Sequence, residues 1–292
     1  MRYNKIIPWF LWFVTSLFFG VIFFGFVFAE HNKKIEQNTV EFFTQQNESW
    51  TATRIINDPR KLSNKRIAHA GGAYNWEIYT NSLDALEANK DDYELFEIDL
   101  SWTSDDTLVC IHDWEWSPIN TFWVPYREEP MSFEEFTTAV ASNEKYKNCT
   151  LDTLMTWLKD NPTKFLVTDI KERNLESLKR IAENYPDLQK KIIAQVYLPR
   201  NYQIVQDMWY EHIIWALYRY KWTTEEVLWN ARTMNNIFAL SLNVPRSQTD
   251  LPQKLESENF YTYVHTINDA ETLIRLQNLW ASEIMTDFLT PN

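Results

Sequence analysis

From Arg66 onward the chain alternates short apolar runs, rich in Val, Ile, Phe and Tyr, with stretches whose apolar positions recur at helical spacing. That alternation is the pattern of repeated strand and helix units around a parallel sheet. Eight runs read as strands: Ile67 to Ala70, Leu95 to Leu100, Phe165 to Ile170, Ile192 to Tyr197, Ile213 to Tyr218, Phe238 to Leu242, Tyr261 to Ile267 and Ile284 to Asp287. Helical stretches fall between them at Ser82 to Asn89, Asp152 to Lys159, Leu175 to Asn184, Tyr202 to Trp209, Thr224 to Ala231 and Ala270 to Asn278. A further apolar run, Thr107 to His112, follows the turn-forming Ser104-Asp105-Asp106 with no helix before it, and reads as a hairpin return. The expected fold class is α/β, a TIM (β/α)8 barrel, which uses roughly 250 residues as a single unit.

The first part of the chain has a different texture. Ile6 to Ala29 is 24 residues without a charge, and at ~1.5 Å per residue it reaches ~36 Å, more than the ~30 Å hydrocarbon core of a bilayer. It reads as an N-terminal transmembrane helix. A cleaved signal peptide is the competing reading, because Arg2 and Lys5 precede the run and Val27-Phe28-Ala29 supplies small residues near its end. The expected organisation is a short tail at 1–5, an anchor at 6–29, a polar stalk at 30–65 and the barrel at 66–292, with an insertion at 114–150 expected to cover the site. The basic residues flanking the run slightly favour an inside N-terminus. The expectation is a single-pass membrane protein with its barrel outside the cytoplasm, in the cell envelope.

Charge and cysteine content narrow the partners. A formal net charge of -12 argues against nucleic acid, whose phosphate backbone selects basic faces. The two cysteines, Cys110 and Cys149, show no metal-binding spacing, and Cys110 lies in an apolar run that suggests a buried, inert thiol, with a disulfide to Cys149 left open.

Polar residues gather at the C-terminal ends of the strands, where a barrel assembles its active site. Glu97 and Asp99 stand two apart on one strand, so both project to the same side. Two carboxylates converging there repel unless a cation or proton lies between them. Asp169, from the next barrel strand, completes an all-oxygen set suited to Mg²⁺ or Ca²⁺. His69 ends the first strand and His112 ends the hairpin return, so both can reach that centre, one as general base and the other as general acid. Of four glycines in the chain, only Gly71 and Gly72 lie beyond the apolar run, directly after His69. A loop that spends both must need a backbone conformation or a close approach that a side chain blocks.

Ala68-His69-Ala70-Gly71-Gly72, Thr80-Asn81-Ser82, Phe96-Glu97-Ile98-Asp99-Leu100, Thr103-Ser104-Asp105 and Ile111-His112-Asp113 form an ordered set across the first part of the barrel. It is continued by Val167-Thr168-Asp169-Ile170-Lys171, Val264-His265-Thr266-Ile267-Asn268-Asp269 and Met285-Thr286-Asp287. Together these segments resemble the glycerophosphodiester phosphodiesterase family, in a His-Ala-Gly-Gly form, over residues 66 to 288. The resemblance implies a divalent metal held by Glu97, Asp99 and Asp169, and His69 with His112 as the acid/base pair. It also implies a phosphate and substrate site drawn from Lys171, Gly71, Gly72, Asn81, Tyr218 and His265. In that family a hydroxyl of the glycerol is thought to attack phosphorus, giving a cyclic phosphate that water then opens. Two positions depart from the family pattern: the usual Arg after the first His is Ala70, and the third acidic residue, usually Glu, is Asp169.

The expected function is a metal-dependent phosphoric diester hydrolase acting on glycerophosphodiesters or on related lipid or glycan phosphodiesters. Two alternatives stand beside it. One is a phospholipase acting on lipid headgroups, and the other an inactive, membrane-anchored binding or assembly module on the same barrel.

Overall fold

A computed structural model of the chain describes residues 58–291. The expected anchor at 6–29 and the stalk as far as residue 57 lie outside the described residues. Among those described, no helix is long and apolar enough to cross a membrane.

Eight parallel strands close on themselves: β1 (Ile67–Ala68), β2 (Leu95–Trp102), β4 (Phe165–Asp169), β5 (Ile192–Val196), β6 (His212–Ala216), β7 (Ala239–Asn243), β8 (Thr262–His265) and β9 (Glu283–Thr286). Their order is β1-β9-β8-β7-β6-β5-β4-β2, and β1 pairs back onto β2. The hairpin return is β3 (Leu108–Cys110), antiparallel to the far end of β2. The barrel and its ninth, non-barrel strand therefore stand as the hydrophobic pattern predicts.

Residues two apart on a strand share a face, and this periodicity builds the interior. Ile67, Leu95, Phe165, Val167, Ile193, Ile214, Ala239, Tyr263 and Met285 pack together inside the lower barrel. Continuing each strand by two residues at a time leads to His69, Glu97 and Asp99, Asp169, Gln195, Ser241, His265 and Asp287. One set of interior columns is thus apolar below and polar above. The alternate residues, among them Phe96, Ile98, Leu166, Ile213, Trp215 and Leu240, face outward and form the larger core beneath the helices.

The helices in chain order are α1 (Leu83–Asn89), α2 (Ser117–Phe122), α3 (Phe133–Ser142), α4 (Leu151–Asp160), α5 (Asn174–Asn184), α6 (Asn201–Asp207), α7 (Thr224–Thr233), α8 (Val244–Ser247), α9 (Leu251–Ser257) and α10 (Ala270–Asn278). Local chemistry sets several starts. Ser132, Thr150 and Thr223 each close a capping box at α3, α4 and α7, satisfying amide groups that have no partner within the first turn. The hydrophobic pattern does not announce α2, α3, α8 or α9. The two in the insertion are organised by a separate small cluster of Val109, Ile111, Met131 and Phe136.

Two expectations change. The polar stalk expected at 30–65 does not extend through residues 58–65, because Leu62 is buried in the lower barrel cluster. Arg60 also donates to the Asn236 carbonyl at 2.7 Å, so the barrel's packing begins before Arg66. Cys110 is not a free thiol. It is bonded to Cys149, with Cα atoms 5.0 Å apart, because the end of the insertion returns to lie beside β3. Cys110 N–H donates to the Cys149 carbonyl at 2.7 Å along the same seam.

Candidate active site

The acidic centre follows from strand register. Asp99 pairs with Asp169 across β2 and β4, which sets two carboxylates side by side, and Glu97 lies one pleat below. Glu97, Asp99 and Asp169 each offer an oxygen within 4.8 Å of the other two. Lys171 Nζ answers part of this charge, at 2.7 Å from Asp99 Oδ1 and 3.3 Å from Asp169 Oδ2. Burial lowers the ammonium's affinity for its proton, but Asp99 and Asp169 more than reverse that, and its pKa is held well above the ordinary lysine value. Burial raises Glu97, and the neighbouring Asp99 carboxylate raises it further. Asp99 is held low: burial opposes ionisation there, but Lys171 and the two histidines outweigh it.

The residues present fit a hard divalent cation. Glu97 Oε2 accepts the Ala70 N–H at 2.8 Å, while Glu97 Oε1 is buried and has no hydrogen-bond partner among the described residues. A buried carboxylate oxygen left unmatched is costly, and here it belongs to a three-carboxylate, all-oxygen group of the kind that Mg²⁺ and Ca²⁺ take.

Around this centre the surrounding loops fix the acidic groups. Asn81 is fully buried and grips Asp99 twice: its Nδ2 donates to Asp99 Oδ2 at 3.1 Å, and its Oδ1 accepts the Asp99 N–H at 2.9 Å. Asn81 is held in turn, since its carbonyl accepts the Cys149 N–H at 3.3 Å. Asn148 Nδ2 donates to the carbonyls of Thr80 at 2.7 Å and Cys110 at 3.0 Å. Asp169 is shorter than the glutamate of the resembling family, and two phenols reach it. Tyr218 donates from 3.0 Å, and Tyr197 from the end of β5 makes a further short contact.

The two histidines stand on either side of Tyr79, whose ring meets both edge-on, with centroids 4.5 Å from His69 and 5.4 Å from His112. Each is oriented by its own carboxylate. His69 Nδ1 lies 2.9 Å from Asp287 Oδ1. Burial would lower its pKa, but the Asp287 hydrogen bond and the nearby Glu97 and Asp99 charges raise it to about 9. His112 Nδ1 lies 2.7 Å from Asp113 Oδ2, which raises that imidazole above its ordinary value. Asp113 Oδ1 also accepts the backbone N–H groups of Glu115, Trp116 and Ser117, which turns the chain into α2. His265 faces the mouth from β8 and packs on Tyr218, with its pKa pressed down to about 4 by burial and the His69 charge.

Gly71 and Gly72 occupy the tight turn after β1 at φ +86° and +85°. A Cβ on Gly72 would come within 2.7 Å of Asn89 Nδ2, which donates to the Gly71 and Ala73 carbonyls and ties that turn to α1. The glycines therefore meet a backbone and packing need.

The structure gathers His69, Glu97, Asp99, His112, Asp169, Lys171, Asn81, Tyr218 and His265 at one end of the barrel. Sequence reading missed Asp287 and Asp113 as histidine partners, Tyr197 as a donor to Asp169, and Tyr79 between the imidazoles. Asp113 had a local signal, being adjacent to His112, and Asp287 had the strand-end position that flagged the others. Near the mouth, Trp102 is buried, with its Nε1 donating to Ser177 Oγ at 2.9 Å. Trp114 Nε1 donates to the Trp102 carbonyl at 2.7 Å, so both serve packing, whereas Trp116 and Trp123 are exposed.

Fold and site together define a TIM-barrel protein with a carboxylate centre and a histidine pair at the C-terminal face. No protein-family model and no curated protein matches the chain. Solved structures do. A phosphodiesterase from Oleispira antarctica, in complex with the product sn-glycerol-3-phosphate, is 16% identical over 79% of this chain and 96% of its own, with a TM-score of 0.60. A glycerophosphoryl diester phosphodiesterase from Parabacteroides distasonis is 14% identical over 78% of this chain and 85% of its own, with a TM-score of 0.59. One from Thermotoga maritima is 15% identical over 76% of this chain and 93% of its own, with a TM-score of 0.57. The chain shares the barrel fold of these phosphodiesterases.

Proposed function

We propose that this chain is a metal-dependent phosphoric diester hydrolase of the glycerophosphodiester phosphodiesterase type. Its substrate would be a small glycerophosphodiester or a related lipid or glycan phosphodiester. The observation that carries the reading is the joint geometry: three converging carboxylates, two of them buried, beside two histidines, each with Nδ1 held by its own aspartate.

Glu97, Asp99 and Asp169 would hold the cation, Mg²⁺ or Ca²⁺, which when bound supplies Lewis-acid polarisation of the phosphoryl oxygens. The chain's own residues supply the proton transfers. A cation on the carboxylates would offset the Glu97 and Asp99 charges that help hold the His69 ring protonated; in the neutral ring, with Nδ1 engaged by Asp287, Nε2 is the atom left to take the proton from an attacking hydroxyl. His112 is half-exposed on the insertion side, so a departing alcohol can receive a proton from its Nε2 and leave toward solvent. As the hydroxyl oxygen bonds to phosphorus, the bond to the leaving oxygen breaks, and one proton has moved through each imidazole. Lys171 places a positive charge where the phosphate must sit, and Tyr197 and Tyr218 keep Asp169 oriented. Ala70 supplies no guanidinium, so the phosphate grip rests on Lys171 and the metal.

The Cys110–Cys149 disulfide favours a working place outside the reducing cytoplasm. This accords with the reading of residues 6–29 as an anchor that leaves the barrel on the outer side of a membrane.

The reading is tested by hydrolysis of glycerophosphodiesters with added Mg²⁺ or Ca²⁺. We expect turnover that a chelator abolishes and that falls by about 10²–10⁴ in His69→Ala and in His112→Ala, the usual contribution of a general acid or base. Folded variants that keep full turnover would show that these histidines do no chemistry.

A further inference from the structure

The loops after β6 and β7 enclose a second concavity of about 550 Å³, distinct from the acidic centre but bordering it. Tyr218 forms the boundary, because it lines the concavity while its hydroxyl donates to Asp169. In the barrel order β6 lies opposite β1, so this space is across the mouth from His69 and Ala70.

Its lining contains Arg219, Lys221 and Arg246 and no aspartate or glutamate. In a chain of net charge -12 that is a local reversal of sign, and such a reversal attracts an anion that the rest of the surface repels. Arg219 is partly satisfied, with one nitrogen 3.3 Å from Glu172. Among the described residues Lys221 and Arg246 have no carboxylate partner. Arg246 is half-buried, and that burial presses its pKa below the ordinary guanidinium value. Cations without carboxylate partners, lining one space, describe the complement of a multi-oxygen anion.

We propose that this concavity is a second anion subsite, so that the preferred substrate is a phosphodiester carrying a further phosphate on the group beyond the scissile bond. The proposal rests on the phosphodiesterase reading for the first phosphate, and adds Lys221 and Arg246 as the groups that select the second. A substrate of this class repeats phosphate at intervals, or ends in a phosphate monoester. The reaction that supplies it must leave phosphate on both sides of a small alcohol.

Two diesters test this, glycerophosphoglycerol and the same molecule phosphorylated on its distal glycerol. Binding is measured calorimetrically on His112→Ala with Mg²⁺ or Ca²⁺ present, to keep the diesters intact. The phosphorylated diester should bind about tenfold more tightly or better, as one or two charge-assisted contacts allow. Adding Lys221→Gln and Arg246→Gln should remove that preference. In the otherwise native protein the same pair of substitutions should leave turnover of the unphosphorylated diester unchanged. Equal binding of the two diesters, or a preference that survives both substitutions, overturns the subsite. If the preference is present and lost as expected but the native protein hydrolyses neither diester, the subsite stands and the phosphodiesterase reading falls.

Discussion

Asp287→Asn isolates the group that makes His69 useful. The carboxylate sits between two partners, His69 Nδ1 at 2.9 Å and Asn268 Nδ2 at 2.7 Å. Asn268 cannot turn over to suit a new neighbour, because its Oδ1 already accepts the Asp287 N–H at 2.8 Å and the Thr286 hydroxyl at 3.1 Å. The new amide must therefore present its oxygen to Asn268 and its NH₂ to His69. Nδ1 then has to accept, the ring proton moves to Nε2, and the atom that should take a proton from the nucleophile already carries one. The fall in kcat should be about 10²–10⁴, the range for losing a general base. Replacing a buried, charge-assisted hydrogen bond by a neutral one roughly half as strong also removes roughly 1–1.5 kcal/mol. That loss, about tenfold in proton affinity, lowers the His69 pKa from its raised native value.

That shift gives a second readout. The His69 pKa is raised to about 9 in the native fold. The stability contributed by its pairing is therefore complete below the ordinary imidazole value of 6.5 and is lost as the pH rises through about 9. Metal-free native protein and Asp287→Asn should differ most in denaturant midpoint near pH 6 and converge above pH ~9. Imidazole nitrogen NMR would report the tautomer directly. Turnover within threefold of native, or a ring still protonated at Nδ1 when neutral, would refute the assignment of Asp287 as the orienting group.

Two further expectations concern the centre and its frame. Because Glu97 is raised by burial and by Asp99, divalent ions should bind with net proton release at acidic and neutral pH. Their affinity should increase as the pH rises, and Glu97→Gln should lose the release; calorimetry in buffers of different ionisation enthalpy measures it. The Cys110–Cys149 bond closes a loop with a sequence separation of 39, for which chain entropy implies roughly 4 kcal/mol. Replacing both residues by Ala should lower the unfolding free energy by about 2–4 kcal/mol. It should also weaken metal binding, since the Cys149 N–H holds the Asn81 carbonyl; denaturant titration and metal calorimetry check the two effects.

Much of this protein is legible in sequence, and the reason is periodicity. Strand residues two apart share a face, so Leu95-x-Glu97-x-Asp99 and Phe165-x-Val167-x-Asp169 already state that an apolar interior turns acidic toward the C-terminal end. The glycines at 71 and 72 likewise declare a turn that other residues do not adopt. These features depend on neighbours within a few residues, where backbone geometry alone constrains the side chain.

What tertiary structure decided are pairings between distant segments. His69 finds Asp287 at a separation of 218 residues only because β1 and β9 are adjacent when the barrel closes. Asn81 grips Asp99, and Cys110 meets Cys149, because the insertion folds back along β3. The helices of the insertion escaped the periodic signal because they bury their apolar residues against a small cluster of their own. The basic concavity arises where two separate loops converge, one carrying Lys221 and the other Arg246. No local pattern records that meeting, because closure of the barrel sets the distance between those loops.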